Sequence, residues 1–151
     1  MRTEQQSASS QGISILIADD HEVARRGFRA ILESEPDLHV VAEASNGREA
    51  VEKAAACIPG VVLMDIGMSE MNGMEATRRL HDELPDVDVL IVTMHFSEEL
   101  VKEAMLAGAK GYILKTDVDR ELIAAIRTLR RHEPYISSRC DDLWAGGALS
   151  A

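Results

Sequence analysis

With 151 residues, 46% of them apolar and only 3% aromatic, the chain has room for one domain whose core must be built from Val, Ile, Leu, Ala and Met. Sixteen basic residues against 26 acidic ones leave a formal charge of −10, which repels phosphate backbones and argues against direct nucleic-acid binding by this chain. No apolar run approaches the ~20 residues of a membrane span, and the polar stretch Met1 to Gly12 lacks the apolar core of a signal peptide, so no membrane partner is expected and the cytoplasm is the expected location.

From Ile13 onward, short β-branched runs alternate with helical patterns. Strands are predicted at Ile13–Ala18, Leu38–Ala42, Val61–Met64, Val87–Val92 and Tyr112–Leu114; several are apolar nearly throughout, as parallel strands buried on both faces should be. Between the first two, Val23, Ala24, Phe28, Ile31 and Leu32 recur at helical spacing; Ala50, Val51, Ala54 and Ile58 follow the second strand. Met74, Thr77, Leu80 and Leu84 form a third stripe, Leu100, Val101, Ala104 and Ala107 a fourth, and Leu122, Ile123, Ile126 and Leu129 a fifth. Pro36, Pro59 and Pro85 stop helices, Gly60 and Gly108 suit helix ends, and Ser97 suits a helix start. The sum is (βα)5, an α/β domain with right-handed crossovers and helices on both faces of a parallel sheet. Residues 1–12 read as a flexible leader, 13–133 as the domain, and 134–151 as a linker-like or disordered tail.

In an open parallel sheet, function gathers outside the carboxyl ends of the strands. Strand one ends in Asp19 and Asp20, strand three in Asp65, strand four in Thr93 and strand five in Lys115. Strand two ends near Glu43, which an edge position keeps away. Three clustered carboxylates repel one another, and a hard divalent cation, Mg2+ above all, is the usual remedy. A lone lysine and a threonine beside such a metal are groups that phosphoryl oxygens want, and a carboxylate can itself be the nucleophile. The spacing suggests phosphoryl transfer onto an aspartate.

The stretches LIADDHEVARRGFRAIL, VLMDIGMSEMNGMEATRRL, VLIVTMH and AGAKGYILK resemble bacterial response-regulator receiver domains, especially those joined to helix-turn-helix outputs in the LuxR/FixJ (NarL-like) class. The resemblance covers roughly Ile13 to Ser137. It implies a flavodoxin-like, doubly wound five-stranded sheet in the order 2-1-3-4-5. It implies that Asp65 accepts a phosphoryl group from a sensor histidine kinase, in two-component signalling. Asp19, Asp20, Asp65 and the carbonyl of Gly67 would hold Mg2+, and Thr93 and Lys115 would contact the phosphoryl oxygens. Tyr112 would turn inward as Thr93 moves, which is the switch. Gly67 and His95, each two residues after a site residue, would tune dephosphorylation. Homodimerisation, through helices one and five or the face from helix four to helix five, is expected on the same basis.

Plainer readings stand beside each assignment. Asp19 and Asp20 suit a helix N-cap, Lys115 a solvated strand end, and Tyr112 a core aromatic. Gly73 suits a close approach or tight turn. Met64, Met68, Met71 and Met74 read as packing, His21 and His95 as local polar residues, and Cys57 and Cys140 as free thiols. Arg127, Arg130 and Arg131 suit the negative end of the last helix.

The chain departs from the family at Ser69, where many relatives have proline, and nothing resembling an output domain follows Glu133. A stand-alone receiver acting on a partner protein and a receiver from a longer regulator both fit, the leader and the AGGALSA ending leaning toward the first. The competing enzyme is a Mg2+-dependent phosphohydrolase with an aspartyl-phosphate intermediate. Such hydrolases place a second Asp two residues after the nucleophile, where this chain has Gly67.

Overall fold

A computed structural model describes residues 12–137. The leader up to residue 11 and the tail from residue 138, with Cys140, lie outside the described residues.

The elements run β1 (Ile13–Ala18), α1 (Glu22–Glu33), β2 (Leu38–Ala44), α2 (Gly47–Cys57), β3 (Val61–Met64), α3 (Gly73–Glu83), β4 (Asp88–Thr93), α4 (Glu98–Ala107) and β5 (Gly111–Leu114). A 3-10 turn (Lys115–Asp117), α5 (Val118–Arg130) and β6 (Tyr135–Ile136) follow. All strand pairs are parallel, in the order β2-β1-β3-β4-β5-β6. The order expected from the resemblance therefore holds for the first five strands.

Side chains alternate across a strand, so each strand feeds two cores. Ile15, Ile17, Leu63, Leu90, Val92 and Ile113 pack with Phe28 and Leu32 of α1 and with Leu122, Ala125, Ile126 and Leu129 of α5. Leu16, Ala18, Val62, Met64, Val89, Ile91 and Tyr112 face the other way, toward α2, α3 and α4. Met64, Met68 and Met74 are buried there, and Met71 packs against them, as their packing role requires.

Local signals explain most boundaries. Asn46, Asn72 and Ser97 cap α2, α3 and α4, each side chain accepting a hydrogen bond from the backbone N–H three residues on. Gly108 ends α4 at φ 113°, and a Cβ there would lie 2.5 Å from the His81 ring. At the end of α2, however, the left-handed position falls to Ile58, at φ 44°, and not to Gly60. Ile58 is therefore no part of the helix stripe and stands 55% exposed. Val23, in the first turn of α1, is likewise outside the core, at 81% exposure.

The sheet's sixth strand lies in the segment expected to be tail. After α5, His132 takes φ 66°, its N–H donates to Leu129 O at 2.9 Å and that of Glu133 to Thr128 O at 3.3 Å. This is a helix-ending Schellman turn built on a non-glycine residue, and Pro134 then prevents helix from resuming. The chain turns back along β5, with Tyr135 N–H donating to Lys110 O at 3.1 Å and Ser137 N–H to Tyr112 O at 2.8 Å. Below it, the buried carboxylate of Glu121 accepts from the Tyr135 hydroxyl at 3.0 Å.

Candidate functional site

The C-terminal ends of β1, β3, β4 and β5 open onto one rim, and the residues there come together as their strand positions require. Asp65 follows β3 and is 7% exposed; Asp19 follows β1 and is fully buried. Lys115 reaches both, its Nζ lying 2.6 Å from Asp19 Oδ2 and 3.5 Å from Asp65 Oδ2. With 13% of its side chain exposed, this lysine is no solvated strand end.

Asp19 Oδ1 accepts from the His21 backbone N–H at 2.9 Å and lies 3.1 Å from His21 Nδ1. The same nitrogen is 3.0 Å from Asp20 Oδ1. The N-cap position of α1 is His21 itself, with no side-chain cap. The acid pair thus precedes the helix and does not cap it; Asp19 holds the loop through His21.

The loop after β3 is drawn tight beneath Asp65. Gly73 N–H donates to Ile66 O at 2.8 Å, and a Cβ at Gly73 would sit 2.0 Å from Asp65 O. No larger residue allows the start of α3 to approach so closely, which satisfies the close-approach reading of Gly73. Asp65 Oδ1 accepts from the Ile66 N–H at 2.9 Å. Burial, and next the Asp19 charge, push the Asp65 carboxyl above the ordinary aspartate range, against the pull of Lys115.

Ligand atoms of Asp19, Asp20, His21 and Asp65 lie within 4.8 Å of one another. Asp19 Oδ2 is buried and takes no hydrogen bond among the described residues, its ion pair with Lys115 apart. Three carboxylates crowded at one rim around a single lysine are the donor set that a hard, oxygen-seeking divalent ion fits.

On the neighbouring strand, Thr93 is fully buried, and its Oγ1 accepts from the His95 N–H at 3.2 Å. The carbonyl of His95 accepts from the Tyr112 hydroxyl at 2.6 Å. Tyr112 is fully buried, its ring turned inward, and through His95 it is joined to Thr93. The His95 side chain and Gly67 are both exposed beside the rim.

Two participants escaped the sequence reading. Arg25 Nη1 donates to Asp19 O at 2.6 Å and its Nε to Glu43 Oε1 at 2.9 Å. Glu43 stays out of the acidic cluster, as its edge strand requires, yet reaches it through Arg25. The basic residues of α5 also do more than meet a helix end. Arg127 pairs with Glu35 and Asp37, and Arg130 with Asp88. A cleft of about 390 Å³ opens at that opposite end of the sheet, lined by residues including Lys110, His132 and Pro134, and it touches none of the rim residues.

This rim defines a class of protein, an α/β domain with an aspartate, an acid pair and a lysine at the ends of parallel strands. The response regulator receiver domain model matches residues 15–127. The chain is 40% identical over 138 residues to the transcriptional regulatory protein LiaR of Bacillus subtilis (strain 168), covering 91% of this chain and 64% of LiaR. It is 41% identical over 128 residues to the oxygen regulatory protein NreC of Staphylococcus epidermidis, covering 84% of this chain and 59% of NreC. A solved LuxR-family two-component response regulator from Aurantimonas sp. SI85-9A1 superposes with a TM-score of 0.86 at 31% identity, over 91% of this chain and 99% of that one. The chain belongs to the response regulator receiver family, the signalling domains of two-component systems. It spans about three fifths of the length of the curated relatives it matches. Among the described residues no helix is long and apolar enough to cross a membrane.

Proposed function

We propose that Asp65 is the phosphoacceptor of this receiver, and that Mg2+ is its cofactor, held by Asp19, Asp20, Asp65 and the carbonyl of Gly67. The observation that carries this reading is the buried Asp65 carboxylate beside Lys115, with carboxylate oxygens of Asp19 and Asp20 clustered at the same rim. Bound Mg2+ supplies charge neutralisation between the carboxylates and the incoming phosphoryl oxygens. An Asp65 carboxylate oxygen attacks phosphorus, the bond from phosphorus to the kinase histidine nitrogen breaks, and the histidine keeps that electron pair. Lys115 and Thr93 stabilise the charge on the phosphoryl oxygens, the first as a point charge and the second as a hydroxyl donor.

The domain catalyses only its own phosphorylation and dephosphorylation; Gly67, in place of a second acid, disfavours a hydrolase acting on other substrates. Gly67 and His95 border the path by which water reaches the acyl phosphate, and the size and polarity at these two positions set its lifetime. Thr93 Oγ1, released from the His95 N–H, moves to the phosphoryl group, and the Thr93–His95–Tyr112 hydrogen bonds pass that change to the surface of α4, β5 and α5. That surface meets an output domain or partner protein in a transcription-regulating pathway, and the domain pairs as a homodimer through either this face or the α1 and α5 face. The kinase and the receiver meet in the cytoplasm.

Intact-mass measurement after incubation with Mg2+ and acetyl phosphate tests the assignment. One labile phosphoryl adduct is expected on the native chain and none on Asp65→Asn. An adduct that persists on the variant, or is absent from both, refutes it.

A further inference from the structure

Asp19 is the fully buried carboxylate of the proposed cation site, so whatever fixes its main chain fixes one wall of the site. Its N–H is held by Ala44 O of β2 at 3.0 Å. Its carbonyl accepts from Arg25 Nη1 at 2.6 Å. The same guanidinium is only 17% exposed and is anchored by Glu43, whose second oxygen is taken by Arg29 Nε at 2.8 Å. The Lys53 ammonium donates to the carbonyl of Glu43. Although burial pushes Glu43 upward, the hydrogen bonds from Arg29 and Arg25 hold its carboxyl below the ordinary glutamate range, so it stays an anionic anchor.

We propose that Arg25, anchored by Glu43, is a positioning residue for cation binding: it clamps the Asp19 carbonyl and so aims the Asp19 carboxylate at the Mg2+ site. The inference rests on the proposed Mg2+ site. Its chemistry is that of an outer hydrogen bond orienting an inner ligand, a contact whose loss typically costs 10- to 100-fold in metal affinity. A planar guanidinium serves here because it donates from two edges at once, to a carbonyl and to a carboxylate; a lysine ammonium on a different stem cannot reproduce both.

The sign of the effect separates positioning from simple charge. Arg25 is a cation near a cation site, so its removal by Coulomb's law alone strengthens Mg2+ binding. A clamp predicts the opposite. Mg2+ binding to the full chain, measured by isothermal titration calorimetry, should weaken by about 10-fold in Arg25→Ala. Arg25→Lys should recover only part of that loss, and Glu43→Gln should also weaken binding. Arg29→Ala, which removes an ion pair to Glu43 without touching Asp19, should stay within about twofold of native. In acetyl phosphate reactions the Mg2+ concentration for half-maximal rate should rise in Arg25→Ala while the rate at saturating Mg2+ returns close to native. Circular dichroism would establish that each variant is folded, and Glu43→Gln keeps the test open if Arg25→Ala unfolds. Native-like or tighter Mg2+ binding in Arg25→Ala, or an equal loss in Arg29→Ala, overturns the clamp and leaves the phosphoacceptor assignment standing. A native chain that binds no Mg2+ overturns both.

Discussion

At the N-terminal end of the parallel strands each acid has an arginine partner: Arg127 holds Asp37 and Glu35, and Arg130 holds Asp88. At the C-terminal end, Asp19, Asp20 and Asp65 share Lys115 and the His21 ring. The two ends consequently shift their acids in opposite directions. The Arg127 hydrogen bond holds the Asp37 carboxyl below the ordinary range, whereas burial and the Asp19 charge push Asp65 above it. At one end the arginine partners offset the acidic charge. The other stores electrostatic repulsion that a cation can relieve, which is how a fold retains a site at a cost to its own stability.

The largest break in this comparison comes from Lys115. Lys115→Ala leaves the buried acids facing one another and removes the point charge proposed for the phosphoryl oxygens, so phosphorylation should slow on the order of 100-fold, read as the rate of adduct formation by mass. Next, Asp65→Asn deletes one of the repelling charges. Because the folded state raises this group above its unfolded value, its ionisation opposes folding once the pH exceeds the unfolded value. The variant should therefore gain roughly 2–5 °C in Tm at neutral pH, by calorimetry without Mg2+. A loss of Tm would mean that the rim is not strained.

The opposite end should respond more weakly and with the other sign. Arg127→Ala should destabilise by less than about 1 kcal/mol in urea unfolding, since the pair is partly solvated. The stability that Asp37 contributes is present above its unfolded value and is lost as pH falls through its lowered folded value, so the deficit of the variant should vanish in acid. The smallest effect concerns β6. Burial and the Glu121 carboxylate push Tyr135 up to about 12, so its contribution is complete below the ordinary tyrosine range near 10 and is lost as pH rises through about 12. Stability in urea unfolding should fall across that window, and Tyr135→Phe should remove this part of the fall.

Elements that depend on local pattern were legible in the sequence. Apolar runs marked the first five strands, Ser97 marked the start of α4, and strand ends alone brought Asp19, Asp65, Thr93 and Lys115 to one rim. What escaped depends on distant partners or on exceptions to residue preference. Ile58 and His132 take left-handed turns that glycine normally marks, so the residue on which each helix turns was not legible although Pro59 and the arginines of α5 marked the stops. The two residues of β6 are too few for a period and are held by Glu121, 14 positions away from Tyr135. Arg25 and Glu43 are 18 apart, on a helix and an edge strand, and no spacing rule joins them to Asp19. The burial of Lys115 is set by the two carboxylates that enclose it, a feature of the assembled rim and not of its own neighbourhood in the chain.

The central claim is that repulsion at the rim is what a divalent cation relieves. Calorimetric unfolding with and without saturating Mg2+, on the native chain beside Asp65→Asn and Asp19→Asn, tests it most directly. The account predicts an upward Tm shift of roughly several degrees for the native protein, and a much smaller one for both variants. An unchanged native Tm, or equal shifts in all three, would contradict it.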